Sequence, residues 1–241
     1  MTVNVYGKPG HSIEETGGDR YGRAIARRGA FFERVTGRAL ERWLAARAGD
    51  FHLFHDLTGF GTIAGHGYGQ MSVGTANIDH VILNGPGWVL VDAKGIGRGT
   101  LSLDDEGNGL LIRPDGTFEP QSWMNSQRNY SLAGILMRLT GLQGFGLWLI
   151  PDEVALTPQL ERARCCTRKR PSDWGMIMRV GDMAAGAFGR FGPAQLLSGR
   201  PAPASAVSVL AAHAAPGPVR RLTEITVGHA GDRDELPPGH N

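Results

Sequence analysis

The chain has 241 residues, of which 41% are hydrophobic, and such a chain can build a substantial core, which excludes overall disorder. No uncharged apolar run reaches the roughly 18 residues of a membrane helix, so we predict a soluble protein with no membrane partner. The net charge of +2 is compatible with an acidic partner and indicates nothing stronger, while two adjacent cysteines, Cys165 and Cys166, favour a reducing, cytoplasmic setting.

The first part of the chain is predicted to form a long helix and a strand, followed by a glycine-rich loop. Residues 1–28 are polar and glycine-bearing, and we assign them to an N-terminal extension whose last part begins the helix. From Gly29 to about Ala48 the apolar residues recur at helical spacing, which predicts an amphipathic helix. Phe51–Leu57 has the pattern of a short strand, and the glycines of Gly59–Gly74 indicate a loop.

The middle of the chain is predicted to consist mainly of strands around a second helix. Two apolar runs on either side of Asn84–Gly87 predict a β-hairpin, and Leu101–Leu103 with Leu110–Ile112 predict a further strand pair. Pro120–Leu139 carries a helical apolar stripe. Phe145–Ile150 is a continuous apolar run of the kind found in central strands.

The last part of the chain adds one strand at Met176–Val180 and one helix at Ala204–Ala214. The order helix, strand, strand, strand, helix, strand predicts an α/β (α+β) fold, in which helices flank a mixed central β-sheet. We therefore divide the chain into a core at residues 29–150, additional strand and helix elements at 151–215 that complete the domain, and a flexible tail at 216–241.

The hairpin carries two aspartates within otherwise apolar strands. If Leu83 lies opposite Trp88, the same antiparallel register places Asp79 directly opposite Asp92. Directly opposed residues have Cβ atoms roughly 4.5–5.5 Å apart, so two buried carboxylates there repel unless a cation or a shared proton lies between them. Lys94 follows Asp92 by two positions and emerges on the same face of its strand. Two carboxylates and an ammonium group predict a site for Mg²⁺ or Mn²⁺ that also binds a phosphate.

A third acid comes from the first predicted helix. Glu33 lies in register with Leu40 and Leu44, which places it along the stripe that faces the sheet. A purely structural role for Glu33 is an equally good explanation. Glu41 lies among three arginines and is predicted to be solvated.

Basic residues beside and beyond the hairpin are candidates for phosphate binding. Arg98 follows the lysine within a glycine-rich stretch. A second basic group falls within nine residues and would give salt-dependent binding to a polyanion. An exposed basic surface without a ligand accounts for this second group as well. Its members are Arg162, Arg164, Arg168, Lys169 and Arg170.

The segments around the hairpin resemble the NERD (nuclease-related) domain of the PD-(D/E)xK nuclease superfamily. The similarity covers residues 29–150, about half of the chain, and its motifs occur in the family's order and spacing. The sequence departs from the family pattern at three places. Position 92 is an aspartate where many relatives have glutamate, and Ala30 stands where a second acid often occurs. The lysine is followed by Gly95-Ile96, where asparagine or an aromatic residue often follows it. None of these departures removes a core group of the site. The matching segments are Gly29…Glu33…Leu40, Ile78-Asp79-His80, Gly87 to Lys94, and Gly97…Gly99-Thr100.

This resemblance implies a restriction-endonuclease-like core and a metal-dependent phosphodiesterase site. The catalytic residues would be Glu33, Asp79, Asp92 and Lys94. The two aspartates and the carbonyl of Ala93 would hold Mg²⁺ or Mn²⁺, for which oxygen ligands are suited. The resemblance thus assigns a role to each acid that the residue pattern had singled out.

The function implied by the resemblance is hydrolysis of phosphodiester bonds in nucleic acid, with DNA expected from the family context. Two alternatives stay open: a non-catalytic nucleic-acid-binding or assembly module that keeps the fold, and Mg²⁺-dependent hydrolysis of a small phosphodiester. Lys94 favours an enzyme, because a degenerate site would be expected to lose it early. Gln127 matches a glutamine on the corresponding family helix, although an ordinary surface residue explains it equally well. The candidate substrate contacts are Arg98, Gln127, Arg168, Lys169 and Arg170.

Overall fold

A large mixed β-sheet, two smaller sheets and several helices make up the described part of the computed structural model. The structure describes residues 2–15, 22–60, 62–64, 70–72, 77–85, 87–124, 126–162, 175–185 and 197–222. The five helices with described ends are α1 (Arg23–Ala45), α2 (Ser126–Thr140), α3 (Pro158–Arg162), α4 (Val180–Ala184) and α5 (Ala204–Ala211). Residues 11–15 are also helical, and Ser122–Met124 forms a short 3-10 helix. The strands are β1 (Thr2–Tyr6), β2 (Asp50–Leu57), β3 (Thr62–Ala64), β4 (Gln70–Ser72), β5 (Ile78–Asn84), β6 (Gly87–Ala93), β7 (Gly99–Leu103), β8 (Gly109–Ile112), β9 (Phe118–Pro120), β10 (Gln143–Ile150), β11 (Val154–Leu156), β12 (Gly175–Arg179) and β13 (Arg220–Leu222).

The central sheet has seven strands in the order β12-β10-β6-β5-β2-β1-β13. The pairs β12–β10, β10–β6 and β2–β1 are parallel, whereas β6–β5, β5–β2 and β1–β13 are antiparallel. A second sheet of four strands has the order β11-β7-β8-β9, and β3 pairs with β4. The predicted α/β fold with a mixed, helix-flanked sheet is therefore confirmed.

Helices cover both faces of the central sheet because the strand side chains alternate between two apolar clusters. Helix α1 packs on one face, where its fully buried Leu40 and Leu44 meet Val89 of β6. Helices α2 and α5 pack on the other face, where α2 contributes Leu136 and β6 contributes Trp88. Burying a leucine side chain stabilises a fold by about 1.5–3 kcal/mol, so each stripe fixes its helix over the sheet.

Both ends of the described chain join the central sheet, in contrast to the predicted extension and tail. Thr2–Tyr6 forms β1 between β2 and β13, and its Val3 and Val5 are buried. Arg220–Leu222 forms β13 and pairs with β1. Each of these strands is too short for its alternation to stand out in the sequence, and its partner is distant or equally short. Residues 223–241 lie outside the described part.

Three predicted boundaries differ from the structure. Helix α1 begins at Arg23, within the last part of the extension as predicted, and it ends at Ala45 rather than at about Ala48. The predicted glycine-rich loop includes the strand pair β3–β4. Helix α2 begins at Ser126, because the preceding residues form β9 and the turn at Ser122–Met124. Among the described helices, none has both the length and the apolar character that a membrane crossing requires.

The contact between β6 and β10 leaves no room for a side chain at Gly144. This glycine pairs with Trp88, and a Cβ added to it would lie 2.0 Å from the indole Cδ2. The indole is fully buried and its Nε1 donates to Leu142 O at 2.9 Å, so it has no free space into which to move. Gly144→Ala is expected to lower the free energy of unfolding by about 2–3 kcal/mol, measured by urea denaturation. Gly217→Ala, where an added Cβ meets nothing within 4 Å, serves as the control, and equal stability of the two variants would contradict this packing.

Candidate active site

The two strand aspartates lie opposite each other at the end of the β5–β6 hairpin. The strands pair from Asn84 with Gly87 to His80 with Val91, and the next step of this register places Asp79 opposite Asp92. The predicted register is therefore confirmed. Both aspartates are buried, with relative exposures of 8% and 9%. The carboxylates belong to a shared, largely dehydrated patch at this end of the sheet.

Each aspartate contacts a group on or just after β6. The backbone N–H of Ala93 donates to Asp79 Oδ2 at 2.7 Å. The Nζ of Lys94 lies 2.5 Å from Asp92 Oδ1 and 5.9 Å from the centre of the Trp123 ring. The backbone of Lys94 is held in turn, because its N–H donates to Leu149 O at 2.8 Å. A fixed backbone and two side-chain neighbours thus keep the ammonium group beside the acids.

Glu33 reaches the same patch from helix α1. Its side chain is 2% exposed, and among the described residues its Oε2 has no hydrogen-bond partner. The backbone N–H of Gly10 donates to its carboxylate, and the charges of Asp92 and Lys94 act on it. The prediction that Glu33 points along the sheet-facing stripe is confirmed. A buried oxygen without a partner costs free energy, which suits a site that receives a ligand.

Burial and mutual repulsion make two of these acids weak. Burial first, and then the charges of Asp56 and Asp92, raise the pKa of Glu33 to about 8. Burial also raises the pKa of Asp79 well above its usual range, with further contributions from Glu33 and Asp92, against which Lys94 acts. One ammonium group therefore does not balance the acids. An additional cation at this patch would favour their ionised forms.

The donor chemistry of the patch fits Mg²⁺ or Mn²⁺, although the candidate ligands do not converge on one point. Carboxylate and carbonyl oxygens are the donors that these ions prefer. In the described part of the chain, however, no three histidine, cysteine, aspartate or glutamate side chains converge as a ready metal-binding group. Asp92 instead pairs with Lys94, and Asp79 accepts the N–H of Ala93. Metal binding would require these internal contacts to be exchanged for the ion.

Asp56 is a site residue to which the sequence analysis assigned no role. It lies at the end of β2, where the pairing of His55 with His80 and of Leu57 with Ile78 places it opposite Asp79. Its side chain is fully buried, and its charge acts on Glu33. The available signal was an acid near the end of a strand that neighbours the hairpin. That signal was weak, because an acid near a strand end is usually a cap or a surface residue.

A buried histidine pair lies near the acids without joining them. His80 Nδ1 is 2.8 Å from His55 Nδ1, and His55 Nε2 is 3.3 Å from Glu41 Oε1. Because the carboxylate accepts from His55 Nε2, His55 accepts at Nδ1 and His80 donates. Burial holds the pKa of His80 well below its usual range. Glu41 is also held by Arg220 at 2.6 Å and is largely buried, so the prediction that it is solvated was wrong.

The remaining predicted contacts are only partly described. Arg98 is exposed in the turn between Lys94 and β7, where its carbonyl accepts from Arg113 Nη1 at 3.4 Å. Gln127 belongs to α2, but its side chain lies outside the described residues. Arg168, Lys169 and Arg170 also lie outside them. Arg98 is thus the candidate substrate contact that lies within the described part of the chain, four positions after Lys94.

Comparisons with family models, curated proteins and solved structures found no match to this chain. The chemistry of the site is accordingly argued from its own residues. Glu33, Asp79 and Asp92 present oxygen donors, and Lys94 presents a cation to the same patch. Such a set can hold a divalent cation and bind an anionic group next to it.

Proposed function

We propose that the protein is a metal-dependent nuclease that hydrolyses phosphodiester bonds of nucleic acid, with DNA as the expected substrate. The observation that carries the proposal is the buried pair Asp79 and Asp92 on opposed strands, with Lys94 Nζ 2.5 Å from Asp92 Oδ1. The buried Oε2 of Glu33, which has no hydrogen-bond partner within the described part of the chain, supports it. The resemblance to the NERD domain supports it as well, because the chain has the mixed, helix-flanked central sheet that this resemblance implies.

The roles of the acids follow from their donors and positions. Asp79 and Asp92, with the carbonyl of Ala93, would hold Mg²⁺ or Mn²⁺, and Glu33 would help to place it. When bound, the ion supplies Lewis-acid activation of a phosphate oxygen and of a water molecule. Burial first, and then the neighbouring carboxylate charges, raise the pKa of Glu33 and of Asp79. A dication bound at the patch would favour the ionised forms of both acids.

Lys94 would act on the reacting phosphate. Its ammonium group lies beside Asp92 and is mostly buried, with 18% of the side chain exposed. A cation held in a partly dehydrated site stabilises the negative charge that grows on the phosphate oxygens, and it also orients the attacking water. The water oxygen loses a proton and forms a bond to phosphorus while the bond to the leaving oxygen breaks. The leaving oxygen takes up a proton, so the net change is the addition of one water molecule across the P–O bond. By analogy with the family, the products carry a 5′-phosphate and a 3′-hydroxyl.

Substrate binding belongs to the same proposal. Arg98 is exposed four positions after Lys94 and would contact a phosphate next to the one that reacts. Gln127 and the basic run Arg168–Arg170 are proposed as further contacts on the grounds of sequence. Binding through arginines and lysines would weaken as salt concentration rises. A cytoplasmic location, favoured by the cysteine content, is proposed with it.

A second candidate function is a nucleic-acid-binding or assembly module without catalysis. The observation in its favour is that the described acids do not converge as a metal-ligand set. Asp92 instead pairs with Lys94, and Asp79 accepts the backbone N–H of Ala93. In such a module the lysine would serve as a permanent counter-charge. The two functions differ in turnover rather than in nucleic-acid binding.

Cleavage and binding assays on the wild-type protein distinguish these functions. We expect it to nick supercoiled plasmid DNA in Mg²⁺ or Mn²⁺ and to stop when the ion is removed with EDTA. Binding of DNA without nicking in either ion would support the module instead. Hydrolysis of a small phosphodiester that excess DNA fails to inhibit would point to a small-molecule substrate. Parallel reactions with RNA and with single-stranded DNA define the class of nucleic acid.

A further inference from the structure

The chain between β1 and helix α1 runs close to the acids. We call residues 7–12 of this connection the N-terminal segment. Gly7 and Gly10 both have left-handed backbones, with φ angles of 76° and 75°. A Cβ at Gly7 would lie 2.4 Å from the carbonyl oxygen of His55, and one at Gly10 would lie 2.8 Å from that of Ala30. The segment therefore packs backbone to backbone against both β2 and α1.

Two acids of the site are hydrogen-bonded to this segment. Ser12 donates from its backbone N–H to Asp56 Oδ2 and from its hydroxyl to Asp56 Oδ1, each at 2.5 Å. Asn77 donates to Asp56 Oδ1 at 3.2 Å. Two residues before Ser12, the N–H of Gly10 donates to the carboxylate of Glu33. Ser12 and Gly10 thus connect Asp56 to Glu33 through two peptide units.

Asp56 takes up an unfavourable backbone conformation to reach Ser12. Its φ is 53°, and among the described residues no other non-glycine residue has a positive φ. This conformation breaks the alternation of β2, so that Leu57 packs in the same cluster as Phe54. Strain of this kind persists where the surrounding structure fixes it, and it occurs often at functional sites. The strain places a buried carboxylate where three donors hold both of its oxygens.

We propose that Asp56 is a positioning residue of the active site, which acts through Ser12 and the N-terminal segment to hold Glu33 in place. Both oxygens of Asp56 are engaged with donors, so it is not assigned as a metal ligand. Glu33, by contrast, has a buried Oε2 for which the residues that the structure describes provide no hydrogen-bond partner. The N–H of Gly10 in the segment acts on the Glu33 carboxylate, whose buried Oε2 would be available to a ligand. This inference rests on the proposed nuclease function.

Two serine variants and one aspartate variant test the connection. Ser12→Ala removes the hydroxyl that holds Asp56, Ser12→Thr keeps it, and Asp56→Asn removes the charge while retaining a residue that tolerates a positive φ. We expect Ser12→Ala and Asp56→Asn to lower kcat for plasmid nicking and the affinity for Mn²⁺ by about 10- to 100-fold, as changes behind metal ligands do. The KM for DNA should stay within about twofold, because Asp56 does not touch the substrate. Ser12→Thr should recover most of the loss.

A double-mutant cycle separates positioning from a general structural effect. Mn²⁺ affinity is measured by electron paramagnetic resonance for each variant alone and in the Glu33→Gln background. If Asp56 acts through Glu33, Asp56→Asn should cause little further loss in that background. Asp104→Asn is the matched control, because Asp104 also accepts from two backbone N–H groups and a side chain but lies in the exposed β7–β8 turn. The control is expected to keep wild-type affinity and kcat.

Each result of this experiment has a defined meaning. A wild type that cleaves DNA, with Ser12→Ala and Asp56→Asn both matching its kcat and Mn²⁺ affinity, overturns this inference alone. A loss for Asp56→Asn that persists in full in the Glu33→Gln background overturns it too. If the wild type binds Mn²⁺ without cleaving, the nuclease proposal fails while the affinities of the Ser12 pair still decide the inference. A wild type that neither cleaves nor binds Mn²⁺ overturns both. If Asp56→Asn does not fold, the comparison of Ser12→Ala with Ser12→Thr decides.

Discussion

Asp92→Ala is expected to abolish metal-dependent cleavage of DNA, with a fall in rate of about a thousandfold or more, while the protein stays folded. The carboxylate has two assigned partners, the divalent cation and the ammonium group of Lys94, whose Nζ lies 2.5 Å from its Oδ1. Its loss removes a metal ligand and also frees the lysine from its position beside the reacting phosphate. Both effects act on the transition state, so kcat should fall more than KM rises.

The fold should survive this substitution because β6 is held by its backbone and by apolar side chains. Asp92 pairs with Trp148 of β10 through main-chain contacts, which an alanine preserves. The side chain of Lys94 is 18% exposed, so its ammonium group can turn towards solvent once Asp92 is absent. Far-UV circular dichroism and thermal unfolding should therefore resemble the wild type.

The matched control replaces an aspartate whose ion pair lies outside the site. Asp182 on α4 contacts Arg179 Nε at 2.6 Å, and Asp182→Ala should nick plasmid DNA at the wild-type rate. Nicking is followed in Mg²⁺ and in Mn²⁺ with equal amounts of folded protein. Undiminished cleavage by Asp92→Ala would refute the assignment of the site. A loss in both variants would indicate a general effect of removing an ion pair.

The pair of opposed aspartates could be predicted because it depends only on local geometry. Strand side chains alternate with a period of two, so a short loop after Leu83 fixes every later pair of the hairpin. Placing Glu33 on the sheet-facing stripe needed only the helical spacing to Leu40 and Leu44. These elements are near in sequence, and each strand or helix is long enough for its periodicity to be read.

The remaining parts of the site depend on contacts between distant residues. Glu41 was predicted to be solvated because its sequence neighbours are arginines, yet it is held by His55 and by Arg220, which is 179 residues away. Asp56 combines a positive φ with hydrogen bonds to Ser12, 44 residues earlier, and no local pattern of β2 indicates either feature. The strand β1 pairs with residues almost 50 positions later. Neither propensity nor periodicity carries information of this range.

Glu33→Gln should make the metal-free protein more stable at pH 8 while removing its activity. In the folded protein the pKa of Glu33 is raised to about 8, whereas in the unfolded chain it is close to 4.5. Between these values the folded state binds more protons than the unfolded state, so the free energy of unfolding falls as pH rises. The raised pKa of Asp79 acts in the same direction. Glutamine keeps the shape of the side chain and removes the charge, which should stabilise the protein at pH 8 by an amount on the order of 2 kcal/mol.

His55 and His80 affect the pH dependence of stability in the opposite direction, and they therefore set the lower limit of the pH range for the measurement. Burial lowers the pKa of both His55 and His80, so their contribution to stability is lost as pH falls below about 6.5. Between pH 6.5 and 8 the acids dominate, and over this range the wild type should lose stability with rising pH. Urea denaturation in EDTA at pH 6.5, 7.25 and 8 measures this slope. Glu33→Gln should show a flatter one.

A matched control variant and the addition of Mn²⁺ test whether the stability change of Glu33→Gln is connected to metal binding. Glu153 is exposed between β10 and β11, and Glu153→Gln should leave both the stability and its slope unchanged. Mn²⁺ should stabilise the wild type at pH 8 more than it stabilises Glu33→Gln, because an ion that binds only the folded state adds its binding free energy to unfolding. A Glu33→Gln protein that is less stable than the wild type at pH 8 in EDTA would contradict the proposed repulsion. The gain in stability with loss of activity is what a site built to receive a cation requires, since its charges oppose folding until the ion is bound.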